Sequence, residues 1–170
     1  MLRVLGRLLL SRFTIAFINL LICVPIVLAG LEVHRRMWTK ADYTVEEDIV
    51  EAIGVILIGW GVVLEERHAL REIFGLHRMA DERWQIGLDR NCAHFGVGQL
   101  VLGLFAEICV GAVRVPNNVI NTAGIDEWVL LLGVAFTGIG AILLIRHAIV
   151  LLFMSRDIAK RAPVSVSDHY

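Results

Sequence analysis

The sequence predicts an all-α membrane protein: four transmembrane helices in a four-helix bundle, built as two parallel-repeat helical hairpins around a pseudo-twofold axis along the membrane normal. Three observations predict it. The 170 residues are 57% hydrophobic with a mean hydropathy of +0.71, well above a soluble domain. One stretch is written twice: residues 48–74 and 127–153 agree at ten of 27 positions, at a constant offset of 79 and without a gap. The matched pairs include Gly54/Gly133, Gly59/Gly138, Gly61/Gly140, Arg67/Arg146 and His68/His147. Finally, the cations are uneven. Eleven (Arg3, Arg7, Arg12, Arg67, Arg71, Arg78, Arg83, Arg90, Arg156, Lys160, Arg161) fall on one side of the expected spans and four (Arg35, Arg36, Lys40, Arg114) on the other. That bias puts both termini and the central loop in the cytoplasm; the expected location is the cytoplasmic (inner) membrane of a bacterium.

Residues 1–12 alternate Arg with Leu and are expected to lie along the inner interface as an amphipathic turn. The first hairpin covers 13–76. Its first span, 13–31, is long enough for about 30 Å of hydrocarbon and should kink at Pro25. The basic start and the small-residue run Val27, Leu28, Ala29 resemble a signal peptide, but removal would leave an odd number of spans, so the segment is read as retained. An outer loop, 32–47, ends where Thr44 and Glu47 have capping-box spacing. The second span, 49–66, is cut short by Glu65 and Glu66; its duplicate stays apolar through Phe153, which argues that both cross. Leu70, Ile73 and Phe74 should continue its face until Gly75 ends the helix.

A cytoplasmic linker, 77–91, is expected to contain an interfacial turn from Asp81 to Leu88 around Trp84. The second hairpin, 92–155, holds a span at 93–113, a turn-forming outer loop at 114–126 and a span at 128–152. Trp38, Tyr43 and Trp128 would mark the outer interface and Trp84 the inner one. The cytoplasmic tail is 156–170, expected to lack order after Pro163. Spans two and four, the better preserved pair, should face each other or lie diagonally.

Gly54, Gly61 and His68 are seven residues apart, as are Gly133, Gly140 and His147, so each trio forms one stripe. The plainest meaning is close helix packing, since small residues let backbones approach in a bilayer, with the Arg-His pair marking the inner interface. A sharper one is a b-type haem with His68 and His147 as axial ligands, Arg67 and Arg146 on the propionates, and Gly61 and Gly140 leaving room for the ring; the likeness to membrane b-type cytochromes is one of plan alone. A weaker one is a metal site joining His94 to the same histidines, with oxygen from Glu65 or Glu66.

On the outer half, Gln99, Gly103 and Glu107 share a face of span three and Glu51 sits one turn into span two. With Glu46, Glu47 and Asp48 they suggest an acidic mouth for cations or protons, because intramembrane carboxylates are costly. The bland alternative is a neutral Glu107 bonded to Asn19 or Gln99. Cys23, Cys92 and Cys109 form no ligand pattern and read as buried thiols. GxSxG, P-loop, HExxH and CxxC motifs are absent from the sequence, so nothing points to nucleophilic catalysis; the arginines are interleaved with acids, so nothing points to nucleic acid. The expected role is a non-catalytic accessory or structural subunit of a larger membrane complex, with lipid and other membrane subunits or a second copy as partners. Haem-based electron transfer and cation or proton transport are the alternatives.

Overall fold

A computed structural model describes residues 2–37, 44–76, 82–117 and 126–153. All elements within them are helices: α1 (Leu2–Leu9), α2 (Arg12–Met37), α3 (Thr44–Glu65), α4 (Arg67–Ile73), α5 (Glu82–Asn117) and α6 (Asp126–Phe153). Three stretches, Arg12–Glu32, Trp84–Val115 and Trp128–Phe153, are long and apolar enough to cross a bilayer. They mark the chain as a multi-pass helical membrane protein. The expected fourth, α3, is not among them. Its charge-free part runs only from 52 to 64, between Glu51 and Glu65. Thirteen residues rise about 20 Å, against the roughly 30 Å of a hydrocarbon core.

Helix ends follow local chemistry. Ser11 separates α1 from α2 and caps α2, its hydroxyl accepting the Thr14 N–H at 3.2 Å. The continuous α2 carries Pro25 on its exposed face. Gly75 ends α4 as expected: it adopts φ 66°, the Leu76 N–H donates to Arg71 O at 3.0 Å and the Gly75 N–H to Glu72 O at 2.9 Å. That is the paired bond pattern of a Schellman cap, which needs a left-handed residue.

Two expectations about boundaries fail. The interfacial turn at Asp81 to Leu88 and the span at 93–113 are one 36-residue helix, α5, within the described residues. No glycine, proline or cap interrupts residues 88–95, and Asp89, the residue that looks most like a break, is neutralised by arginines of α4. Likewise α5 runs through Pro116 to Asn117, so the second outer loop starts later than 114. The expectations for Trp38, Tyr43 and the tail after Pro163 lie outside the described residues.

The contacts give each helix a direction. Gly61 meets Gly96 and Gly54 O meets Gly103, so α3 and α5 are antiparallel. Gly133 meets Cys109, and Gln99 bonds Gly140 O, so α6 is antiparallel to α5. Asn19 meets His147 and Cys23 meets Ala141, so α2 is antiparallel to α6. Consequently α3 and α6 run the same way. The main interfaces are α3 on α5, α5 on α6 and α2 on α6; α2 and α3, neighbours in sequence, touch little. Apolar side chains of all four long helices meet around Leu64, Cys92, Ala148 and Ile15 at the α1 end. A second cluster (Ile26, Ile53, Leu57, Leu144) joins α2, α3 and α6, and a third (Val50, Ala106, Val110, Leu130) joins α3, α5 and α6.

The glycine stripe of α3 is used for packing, but against α5. A Cβ on Gly61 would lie 2.7 Å from both Gly96 O and Leu100 N; one on Gly96 would lie 2.6 Å from Gly61 O. One on Gly103 would lie 2.7 Å from Gly54 O. These are backbone atoms, which cannot step aside. On α6, by contrast, Gly133 faces Val50 and Cys109, and Gly140 faces the Leu57 side chain. The duplicated stripes therefore do not meet each other. Alanine at Gly61 or Gly96 should lower stability by about 1–3 kcal/mol through forced separation of the helices. Alanine at Gly59 or Gly138, where a Cβ meets nothing within 4 Å, should change it by less than about 0.5 kcal/mol. Thermal unfolding in one detergent, read by circular dichroism, checks the contrast.

Candidate functional site

Two polar constellations occupy the end of the bundle near α1. The first is a chain across three helices. Trp60 of α3 donates its indole N–H to Asn19 Oδ1 at 2.6 Å, and Asn19 Nδ2 lies 3.0 Å from His147 Nδ1. Asn19 and His147 are fully buried. The roles follow from the first member. An indole can only donate, so Asn19 must present its oxygen to Trp60 and its amide N–H to the imidazole. His147 Nδ1 is then an acceptor, and the ring proton of the neutral form sits on Nε2. That Nε2 is buried without a partner. Phe95 of α5 stacks on the ring, centroids 4.5 Å apart and planes 11° from parallel, and Arg146 lies 5.9 Å from the Phe95 centroid.

The second constellation is ionic. Arg67, the first residue of α4, is buried and ion-paired to Asp89 of α5. Its Nη2 donates to Leu10 O at 2.7 Å and its Nε to the same oxygen at 3.2 Å, while Gln85 Oε1 accepts at 3.3 Å. Arg71, one turn on, donates to the other Asp89 oxygen at 2.7 Å. Burial pushes the Arg67 guanidinium below its ordinary pKa and the Asp89 carboxylate pulls it back; a guanidinium so paired stays charged. Arg67 thus ties α4 to α5 and to the α1–α2 junction. Breaking such a buried pair typically costs about 3–5 kcal/mol. Beside it lies a cavity of about 250 Å³. Its polar lining is Arg7, Ser11, Arg12, Arg67, Arg71 and Gln85.

The duplication does not carry over to this end. Arg67 is buried and His68 exposed, whereas Arg146 is exposed and His147 buried. The buried faces are already one residue out of register within the spans: Leu57 and Leu64 are buried in α3, whereas α6 buries Thr137 and Leu144, the counterparts of Ile58 and Glu65. The pair expected to ligate a haem is therefore split between surface and interior. Nor does His147 fit ligation: its Nε2 carries the proton and its Nδ1 lone pair is used by Asn19, whereas a metal-bound imidazole needs a free lone pair on one nitrogen and a donor on the other. Phe95 fills the face of the ring. Gly61 and Gly140 face Leu100 and Leu57, not a common space. His94 is exposed, its Nδ1 3.2 Å from Arg90 O. Among the described residues no three His, Cys, Asp or Glu side chains are placed to share a metal.

At the other end, Glu51 pairs with Arg114 at 2.9 Å, and the same guanidinium reaches Asp48 at 3.0 Å and Glu47 at 3.8 Å. The acidic mouth is thus bridged by a cation from α5. Glu107 lies over Gly54, where a Cβ would fall 2.5 Å from its Oε1, an oxygen buried without a partner. Gln99 is buried and donates to Gly140 O at 3.0 Å, leaving its own Oε1 unpartnered. Asn19, expected as a partner of Glu107, bonds Trp60 and His147 instead. All three cysteines are free and buried, with Cys23 Sγ 3.6 Å from Ala141 O. Trp84, expected at the interface, is buried at the cavity wall with Arg12 5.4 Å from its ring.

Comparison with family models, with curated proteins and with solved structures finds no match to this chain.

The bond roles make a spectroscopic prediction. Nitrogen-15 NMR of His147 should show the neutral Nε2–H tautomer, and Trp60→Phe, which frees Asn19 to turn, should admit the Nδ1–H form. An Nδ1–H ring in the unaltered protein would contradict the assignment.

Proposed function

We propose that this chain is a four-span, non-catalytic accessory or structural subunit of a larger inner-membrane assembly, with both termini cytoplasmic. The observation that carries this is how the intramembrane polar side chains are spent. Trp60, Asn19 and His147 bond in series across α3, α2 and α6, and Gln99 bonds the α6 backbone. Such bonds contribute about 0.6 kcal/mol each and fix which helices are neighbours. They serve register, as a packing subunit needs, and hold the histidine away from ligation.

Crossing by α3 is supported by its partners. Its glycine seam is covered by α5, and Glu47, Asp48 and Glu51 at its start share Arg114, which lowers the cost of seating acidic residues at a membrane boundary. Two parallel repeats are supported by the shared direction of α3 and α6 and by the equivalence of the α2–α6 and α5–α3 contacts under a twofold exchange of halves. Departures from that symmetry are the weak α2–α3 contact and the reversed Arg-His pairs. The partner-facing surface we assign is the exposed ridge of α6, Ile142, Ile145, Ile149 and Leu152.

Blue-native electrophoresis after mild solubilisation of native membranes tests this. The chain should migrate with a fixed stoichiometric partner well above its own 18.9 kDa, and Ile142→Asn/Ile149→Asn should release it as a folded monomer. A monomer from the outset would contradict the assignment. Proton flux tests the rival class. Liposomes carrying the purified protein should be as tight as empty ones, with or without Glu107→Gln; a flux that Glu107→Gln abolishes would make Glu107 the centre of a transport path.

A further inference from the structure

We propose that the outer face of α1, formed by Val4, Leu5 and Leu8, is a lipid-contact surface at the headgroup–acyl boundary of the leaflet at that end of the bundle. The proposal does not rest on the accessory role. The three side chains are 70%, 52% and 62% exposed. At about 100° per residue they fall within one third of the helix circumference. Gly6 and Leu10 lie on the opposite side, and protein occupies that side. A Cβ on Gly6 would fall 2.6 Å from Phe74 Cγ, and Leu10 is buried.

This docking fixes which face of α1 turns outward. In an unbroken helix the Thr14 N–H would donate to Leu10 O. Here it donates to the Ser11 hydroxyl, and Leu10 O receives Arg67 instead, from Nη2 at 2.7 Å and Nε at 3.2 Å. Arg67 opens α4 and Phe74 follows its last residue. α1 is therefore held at both ends of α4, and rolling it to hide Val4, Leu5 and Leu8 would break both contacts.

The occupant of the outer face is lipid for three reasons. Only Leu10 and Ser11 separate α1 from the spanning stretch Arg12–Glu32, so α1 leaves the span at the depth where headgroups begin. The exposed apolar surface resumes on α2 at Phe13 and Phe17 and runs on through Leu21, Val24 and Leu28, side chains that meet hydrocarbon where α2 spans. The outer face of α1 thus continues a surface that is already in contact with lipid. Arg7 falls on the flank between the docked and outer faces and is exposed. From there its stem can lie over apolar surface while the guanidinium reaches the headgroups. An apolar face with a cation on its flank is the pattern of a helix seated in the interface. Left in water, the same face would keep its three large apolar side chains wet, which the hydrophobic effect opposes.

Site-directed spin labelling of the full chain in phosphatidylcholine nanodiscs tests the face. Labels are placed by Val4→Cys, Leu5→Cys, Arg7→Cys and Leu8→Cys, one at a time, with Phe17→Cys as the lipid reference. Cys23, Cys92 and Cys109 are buried, and the unaltered chain supplies their background. All the substituted side chains are exposed, so circular dichroism should match the unaltered chain. Power saturation compares collisions with oxygen, which concentrates in lipid, and with a water-soluble nickel chelate. Oxygen should prevail at Val4→Cys, Leu5→Cys and Leu8→Cys, as at Phe17→Cys, and the chelate should gain at Arg7→Cys. If the chelate prevails at positions 4, 5 and 8, the face lies in water and the proposal is overturned. Labels there that neither reagent reaches mean that a second copy of the chain covers the face, which overturns it equally.

Discussion

The contact on which the rest depends is the backbone-to-backbone approach of α3 and α5 at Gly61 with Gly96 and Gly54 with Gly103. In a bilayer the hydrophobic effect does not drive helices together; close van der Waals packing does. α3 most needs that help. It is the shortest of the long helices and carries four acidic residues among its first eight. The glycine seam keeps it against α5 along its length, and two ionic contacts pin the ends of the pair: Arg114 with Glu47, Asp48 and Glu51 at one end, Arg67 and Arg71 with Asp89 at the other. Each ionic cluster combines residues from α5 with residues from α3 or its continuation. Were the seam opened by a methyl group, both clusters would stretch together.

The helical class and most boundaries were legible in the sequence because they rest on local signals. Apolar runs of spanning length and Gly75 as the end of a helix are each readable from a few neighbouring residues. Less legible was where faces point. The duplication implied equal roles for Arg67 and Arg146 and for His68 and His147, yet the buried face of α6 is shifted by one residue against that of α3, which exchanges inside and outside between them. Seven-residue spacing correctly marked Gly54 and Gly61 as a packing stripe. It could not say that the complementary stripe lies on α5, because Gly96 and Gly103 have no counterpart in the repeat.

The polar site was visible only in fragments. His147 stood out through its repeat and Asn19 as a polar residue in a span. Their bond depends on the lateral placement of α2 against α6, a long-range fact without a sequence period. Trp60 gave no chemical signal beyond an indole between two glycines, although its N–H sets the polarity of the whole chain. The basic cavity was similarly hidden. Arg7, Arg12 and Arg71 were already explained by topology as inner-side cations, so their place along one cavity carried no separate mark. Gathering them requires α1 to fold back on Phe74, a tertiary consequence.

The central claim is that α3 is seated on α5 through glycine backbones and not on α6 through the duplicated stripes. Solid-state NMR in lipid bilayers, with carbon-13 glycine labels, addresses it directly. The account predicts through-space cross-peaks from Gly61 to Gly96 and from Gly54 to Gly103. Their absence, together with cross-peaks from Gly61 to Gly140 and from Gly54 to Gly133, would contradict it.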